Sequence, residues 1–279
     1  MVFRTKVDIN KAPWTIGYQD KIALLGSCFS DNIARKMSEF YFQVTCNPTG
    51  TLYNPVSIAH HIDEVAPNAD VIIITFGTAW VYIDKSKVER SVTETERKSK
   101  DLDAVVDNCQ KRPAADFIRR RLTVDEIVEL WQPIVDKYKD KRFIFTVSPI
   151  RHIKDGLHEN NLSKAILLLA VEKLVSRITS NLSPLYFPAY ELVMDELRDY
   201  RFYSDDMLHP SPVAIAYIWQ QFVDTFIGAD TLREMETLRA LWLNRNHRSL
   251  HPGSAEDEAF RQRTEAELQQ LRTRYPWIE

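Results

Sequence analysis

The sequence has little cysteine and no long apolar run, and each shortage excludes a class of protein. Only three cysteines occur among 279 residues, an odd number at scattered spacings. This pattern argues against a disulfide framework and against a zinc knuckle. The longest apolar runs, Val71–Ile74 and Ala165–Val171, are far too short to span a bilayer. We therefore expect a protein without disulfide bridges that does not cross a membrane.

The sequence also has no large excess of charge of one sign and no recognisable signal peptide. The net charge is −3 without a sustained basic run, so the electrostatic footprint of nucleic-acid binding is absent. Residues 1–20 are interrupted by charges and contain no apolar core of signal-peptide length. The spacing of His, Cys, Asp and Glu gives no metal site, and no phosphate-binding loop is complete. We expect a cytoplasmic protein that needs no cofactor and binds no nucleic acid.

Strands that alternate with helices predict an α/β fold. Val71–Phe76 is an unbroken, largely β-branched run, which indicates a strand buried on both faces, as in a parallel sheet covered by helices. Strands are predicted at 21–25, 42–46, 71–76, 142–147 and 185–187. Helices are predicted at 31–40, 55–64, 123–138, 161–182 and 210–228. Ligands of such sheets bind beyond the carboxyl ends of the strands.

Two stretches do not follow this alternation. Residues 84–113 are polar and weakly periodic, which indicates an excursion over the surface. From residue 230 the composition changes, and two charged helical stretches, 231–244 and 256–275, flank a turn-rich segment. The sequence therefore predicts a main domain over 1–229 and a helical extension over 230–279, which is a candidate contact for a homo-oligomer.

Glycine is scarce, and its positions are informative. Three of the seven glycines, Gly26, Gly50 and Gly77, follow the first three predicted strands. Turns from strand to helix favour glycine because they require positive φ angles. Small residues also let backbone amides approach a reacting oxyanion. Both interpretations are compatible with the sequence.

A serine and an acid–histidine pair point to nucleophilic catalysis. Ser27 lies at the carboxyl end of the first predicted strand, where the dipole of the following helix favours negative charge. A serine at such a position is more commonly the N-cap of the helix. Asp206 precedes His209 by three residues, so its carboxylate can accept a hydrogen bond from His209 Nδ1. His209 Nε2 is then free to take a serine proton. These residues predict a serine ester hydrolase.

The segment 25–30, Leu-Gly-Ser-Cys-Phe-Ser, closely resembles the signature of the GSCFA family, a branch of the SGNH/GDSL hydrolase superfamily. Ser30 stands where that signature has alanine. The resemblance continues through 50–55, 76–82, 148–152 and 206–211 and covers about residues 20–227. It implies a three-layer α/β/α sandwich with a flavodoxin-like strand order, with Ser27 as nucleophile and Asp206 and His209 as its partners.

The resemblance also implies an oxyanion hole made of the Ser27 and Gly50 amides and a third donor. In the wider superfamily that donor is an asparagine side chain in a Gly-x-Asn-Asp stretch after the third strand, but residues 77–80 read Gly-Thr-Ala-Trp. Losing one oxyanion donor costs roughly 3 kcal/mol in the barrier, so we expect a substitute. The candidates are the Thr78 hydroxyl, which we favour, then the Asn54 amide, and His152.

Each of these candidates also has a structural interpretation. Thr78 is equally typical of a turn, Asn54 of the extended residue before a proline, and His152 of a helix end or a surface. His152 with Arg151 is also suited to contact an acidic or sugar-like substrate.

Cys28 offers a different nucleophile. It lies beside Ser27 near a helix N-terminus, an environment that lowers a thiol pKa, so a Cys28–His209 dyad is an alternative. The resemblance favours Ser27, and we expect Cys28 to face the core.

The expected function is hydrolysis of a small acyl ester, such as an acetyl ester of a small molecule or carbohydrate, through an acyl-enzyme at Ser27. The carbohydrate part rests on analogy with the superfamily. Because the asparagine is missing, the alternative is a non-catalytic ligand-binding protein that retains the hydrolase fold.

Overall fold

The computed structural model describes residues 4–88, 101–107, 109–176 and 182–278. Its strands are β1 (Lys21–Gly26), β2 (Gln43–Cys46), β3 (Val71–Phe76), β4 (Trp80–Asp84), β5 (Phe117–Arg121), β6 (Arg142–Val147) and β7 (Leu185–Tyr186). Its longer helices are α1 (Cys28–Glu39), α2 (Pro55–Val65), α3 (Val124–Lys137), α4 (Leu157–Ser176), α5 (Pro212–Phe226), α6 (Ala229–Arg245) and α7 (Ala255–Arg274). Shorter helical turns are Ala66–Asn68, Ala114–Asp116, Ile153–Asp155, Ala189–Glu191, Leu192–Leu197 and Tyr200–Phe202.

Five strands form a central parallel sheet in the order β2-β1-β3-β6-β7. This is the flavodoxin-like order, and it confirms the predicted α/β fold. All six residues of β3 are buried, and alternate residues enter opposite cores. Ile73 lies in the core that includes α1 and α5, whereas Ile72 and Ile74 lie in the core that includes α2, α3 and α4. The sheet is therefore covered on both faces, as the unbroken apolar run predicted.

The helix boundaries largely follow the predicted ones. The Thr123–Glu126 capping box is present at the start of α3. Helix α1 begins directly after Ser27, earlier than predicted, and α4 begins at Leu157 instead of residue 161. The predicted end of that helix, at 182, follows residues 177–181, which lie outside the described residues.

The interpretation of 84–113 as a surface excursion missed a hairpin-like pair of strands around it. Strands β4 and β5 pair antiparallel and form a separate two-stranded sheet. Trp80 opposes Arg121 across the pair, and the Arg119 guanidinium lies 3.9 Å from the centre of the Trp80 ring. Arg119 and Arg121 of β5 pack on the Trp80 ring, so the strand lacks the apolar alternation by which strands are recognised. Residues 89–100 and 108 lie outside the described part of the chain.

The C-terminal helices pack against the sheet domain. Leu238 of α6 and Leu268 of α7 belong to the same buried cluster as Phe222 of α5. Beyond α7, Trp277 Nε1 donates a hydrogen bond to the Tyr41 carbonyl oxygen at 2.9 Å. The extension thus contributes to the main core. No helix in the described part of the chain has the length and apolar character needed to cross a membrane.

Candidate active site

Ser27 is the single residue between β1 and α1, and the turn there requires glycine before it. Gly26 has φ +141°, and a Cβ at this position would lie 2.2 Å from the Thr75 carbonyl oxygen. Ser27 is 1% exposed and is the N-cap of α1, its Oγ accepting the Phe29 N–H at 3.3 Å. The N-cap interpretation therefore describes the observed hydrogen bond. The nucleophilic role stays a prediction.

The loop between Asp206 and His209 holds the two side chains together. Asp206 Oδ1 accepts the backbone N–H groups of Leu208 and His209 at 2.9 and 3.0 Å, and Oδ2 lies 2.5 Å from His209 Nδ1. These bonds, chiefly those from the backbone N–H groups of His209 and Leu208, lower the pKa of Asp206 to about 2. Met207 makes the tight turn possible with φ +58°. The ionised carboxylate favours the tautomer with a proton on Nδ1, which leaves Nε2 as an acceptor.

His209 Nε2 contacts Cys28, the residue next to Ser27. It lies 3.5 Å from Cys28 Sγ, whereas Ser27 Oγ and His209 Nε2 do not hydrogen-bond in this structure. Cys28 packs against the core that contains Phe29, as expected, but it is only half-buried and its sulfur also contacts His209. Burial, followed by the charge of Asp31, raises the pKa of the Cys28 thiol. A raised pKa is the opposite of what a thiolate nucleophile requires.

Gly77, at the end of β3, allows Ser27 and His152 to approach the same point. A Cβ at Gly77 would lie 2.9 Å from the Tyr53 carbonyl oxygen, 3.3 Å from Ser27 Cβ and 3.5 Å from His152 Nε2. Any larger residue would therefore crowd this point. The backbone N–H of Gly77 is already used, since it donates to the Tyr53 carbonyl at 2.8 Å.

His152 carries an unpaired polar atom at that point. Its Nε2 is buried and has no hydrogen-bond partner among the described residues. Burial, and then the neighbouring charges of Lys164 and His209, lower its pKa to about 4, so the ring is neutral at neutral pH. The structural interpretation of His152 as a surface residue does not hold.

The other predicted donors are engaged elsewhere. The Thr78 hydroxyl lies 3.1 Å from Ser163 Oγ and accepts the Trp80 N–H at 3.2 Å. The Asn54 side chain is the N-cap of α2 and donates to Ser57 Oγ at 2.9 Å. The structure therefore does not favour Thr78, our first choice, or Asn54 as the missing donor.

Gly50 and Arg151 also have partners within the protein. The backbone N–H of Gly50 donates to the Asn47 carbonyl at 2.8 Å. The Arg151 guanidinium stacks on Tyr203 and Tyr200, with its carbon 4.4 and 5.2 Å from the ring centres. An oxyanion role for the Gly50 amide would require its turn to open, and a substrate contact of Arg151 would form beside these tyrosines.

Lys164 is a residue of the site region that the sequence analysis missed. It is 1% exposed, and its Nζ donates to the carbonyl oxygens of Gly77 and Ser148, both at 2.6 Å. Burial lowers its pKa to about 7. The helical periodicity could have indicated its burial, because Lys164 lies on the same face of α4 as the buried residues Leu167 and Val171.

Comparisons with known proteins show the family of the chain and the solved structures that it resembles. The model of the GSCFA family matches residues 21–69 and 60–222. No curated protein matches the sequence. Among solved structures, an acetyl xylan esterase from Geobacillus stearothermophilus is 14% identical, with a TM-score of 0.41 and coverage of 79% of this chain and 96% of that one. A carbohydrate esterase family 3 protein from Talaromyces cellulolyticus is 11% identical, with a TM-score of 0.39 and coverage of 78% and 99%. A GDSL-like lipase from Bacteroides thetaiotaomicron is 12% identical, with a TM-score of 0.40 and coverage of 78% and 88%.

Proposed function

The chain belongs to the GSCFA family, and from that premise we propose that it is a serine ester hydrolase acting through an acyl-enzyme at Ser27. The observation that carries this proposal is the 2.5 Å contact between Asp206 Oδ2 and His209 Nδ1, with Nε2 of the same ring 3.5 Å from Sγ of Cys28, the residue next to Ser27. An oriented imidazole beside a serine at a helix N-terminus is the arrangement that acyl transfer requires.

In the proposed mechanism, Ser27 Oγ attacks the ester carbonyl carbon while His209 Nε2 takes the hydroxyl proton. The tetrahedral intermediate collapses when His209 returns this proton to the leaving alcohol, which gives the acyl-enzyme. Water then attacks with the same base and releases the acid. Ser27 Oγ must first turn from the Phe29 N–H to His209. Such contacts commonly tighten only when substrate binds.

We assign the missing oxyanion donor to His152. Its neutral ring carries one N–H. If this proton is on Nε2, the ring can donate a hydrogen bond to a substrate oxygen beside Gly77, where Ser27 Cβ and His152 Nε2 both lie. A substrate oxygen there would also give this buried nitrogen the partner it lacks. The first-turn N–H groups of α1 add positive potential beside Ser27.

The acyl group that we propose is small, with acetyl as the simplest case, and the alcohol is a carbohydrate hydroxyl. The carbohydrate part rests on analogy with the superfamily.

A fluorophosphonate probe tests the nucleophile. We expect the wild type and Cys28→Ala to be labelled and Ser27→Ala to stay unlabelled, since only the serine hydroxyl is activated. The neighbouring cysteine is the matched control. Equal labelling of the wild type and Ser27→Ala, or a folded wild type that resists the probe, would reject the serine mechanism.

The second candidate is a ligand-binding protein that has lost catalysis. It is favoured by the absent asparagine and by the lack of a hydrogen bond between Ser27 Oγ and His209 Nε2. Turnover of a small acetyl ester that disappears in both Ser27→Ala and His209→Ala would exclude it.

A further inference from the structure

A cleft of about 470 Å³ is lined by His152, the proposed oxyanion donor, and by Leu208, the residue before His209. It is also lined by two aromatic residues of β4, Trp80 and Tyr82, and by Asp107. The cleft therefore includes residues that the proposed mechanism does not use.

Three residues that line this cleft carry a buried polar atom without a hydrogen-bond partner among the described residues. Buried side-chain nitrogens and oxygens are nearly always hydrogen-bonded in folded proteins, so each exception calls for a partner. In the described part of the chain, Trp80 Nε1, Asp107 Oδ1 and His152 Nε2 are buried without a partner, and all three residues line the cleft. His152 is the proposed oxyanion donor. The other two atoms are one N–H donor and one carboxylate acceptor, and both lack a partner within the described ranges.

Both groups are held in place by their remaining contacts. Arg119 lies over the Trp80 ring at 3.9 Å, and the backbone N–H of Trp80 is bonded to Thr78 Oγ1. The second carboxylate oxygen of Asp107 lies 2.8 Å from His61 Nε2. Donor and acceptor are thus fixed before a ligand arrives, which reduces the entropy lost on binding.

A ligand that satisfies both atoms must accept from an indole N–H and donate to a carboxylate beside aromatic side chains. Hydroxyl groups do both, and a sugar ring carries several of them together with apolar C–H faces that suit aromatic walls. An apolar alcohol would leave both protein atoms buried and unpaired. Arg151 and Lys154 also line the cleft, but beside Asp107 an anionic group would be repelled.

We propose that this cleft binds the alcohol half of the ester and that this half is a neutral, polyhydroxylated ring, with Trp80 Nε1 donating to one hydroxyl and Asp107 Oδ1 accepting from another. The assignment as an alcohol subsite rests on the proposed esterase function, whereas the affinity for a polyhydroxylated ring does not.

The first test compares two acetyl esters, methyl 6-O-acetylglucoside, whose other hydroxyl groups are free, and 4-nitrophenyl acetate, on the wild type and on Trp80→Phe, which keeps the ring and removes the N–H. Loss of one hydrogen bond to a neutral partner predicts that the ratio of kcat/KM for the sugar ester over the nitrophenyl ester falls about tenfold. Asp107→Ala should lower the same ratio. Trp14→Phe is the matched control, because Trp14 Nε1 is also buried and unpaired but its ring stacks on Phe226, outside the cleft.

The second test needs no turnover. Calorimetry of methyl glucoside, methyl galactoside and methyl xyloside against cyclohexanol measures whether hydroxyl groups are recognised. We expect the wild type to prefer at least one glycoside, and Trp80→Phe and Asp107→Ala to lose that preference. Glycoside binding without any hydrolysis would reject the esterase function and keep the sugar site. No preference over cyclohexanol, or an unchanged ester ratio in both folded variants, would overturn the sugar site.

Discussion

At the scale of single residues, His152 is where the site departs most clearly from the superfamily pattern. If its Nε2 holds the oxyanion, the interaction strengthens in the transition state, and its loss acts on kcat more than on KM. We predict that His152→Leu lowers kcat about 100- to 1,000-fold, and that His152→Gln, which can place an N–H near the same position, restores part of it. Ester hydrolysis measured at saturating substrate checks this.

The exposed His158 at the start of α4 supplies the control for that experiment. His158→Leu should leave kcat unaltered. If His152→Leu is folded and as fast as the wild type, another group holds the oxyanion.

The residue scale also shows what a sequence reveals about a site. Ser27, Asp206 and His209 were proposed from residue type, from the spacing of Asp206 and His209 and from the resemblance to the GSCFA family, and their catalytic roles stay predictions. Which way each side chain points was not available, since it depends on the positive φ of Met207 and on the N-cap bond of Ser27. For the same reason Thr78 was preferred to His152, because only tertiary contacts show that the Thr78 hydroxyl is already paired.

At the scale of elements, α4 ties together the carboxyl ends of two neighbouring strands. Lys164 Nζ bonds the Gly77 carbonyl just after β3 and the Ser148 carbonyl just after β6. Gly77 and the segment leading to His152 are therefore held by one buried ammonium group. Lysine is expected at surfaces, so the helical periodicity alone does not predict a buried lysine even where it lies on the same face as apolar residues.

Burial of Lys164 makes the free energy of unfolding depend on pH. Burial lowers its pKa from 10.5 to about 7 in the folded protein. Between these values the unfolded chain binds more protons than the folded one, so this group makes the free energy of unfolding rise with pH. We predict that this rise, measured by urea unfolding at pH 7, 8 and 9, is lost in Lys164→Met.

Lys173 lies on the same helix but is half-exposed and paired with Asp125, which makes Lys173→Met the control. Its unfolding free energy should follow the wild type across the three pH values. Parallel curves for all three proteins would show that Lys164 is not titrating in this range.

The strands illustrate which elements a pattern can predict. The three central strands of the parallel sheet, β1, β3 and β6, could be predicted because burial on both faces leaves apolar runs, which end in turn residues. Strand β5 was missed because Arg119 and Arg121 lie over Trp80 instead of alternating with apolar residues. Such a cation–π contact joins residues that are distant in sequence, so no local pattern reports it. Strand β4 does alternate, with Val81 and Ile83 buried, and the sequence analysis overlooked it.

At the scale of the whole molecule, the C-terminal helices stabilise the sheet domain. Their charged composition sets residues 230–279 apart in the sequence, yet Leu238 and Leu268 are each 1% exposed and lie in the core that contains Phe222. Charge on the outer faces of α6 and α7 hid this packing, because the buried positions are few and widely spaced along each helix.

Because the C-terminal helices share the main core, substitutions in them should change the free energy of unfolding of the whole chain. Leu238→Ala and Leu268→Ala each remove a buried side chain and leave a cavity, so each should lower the free energy of unfolding of the whole chain by about 2–5 kcal/mol. Leu250, in the turn between α6 and α7, is 92% exposed, and Leu250→Ala should change it by less than about 0.5 kcal/mol. Urea unfolding followed by fluorescence should show one transition that moves in the two core variants only. If an early transition separates from the main one, or if the core variants match Leu250→Ala, the C-terminal helices fold apart from the sheet domain, and the site does not depend on them.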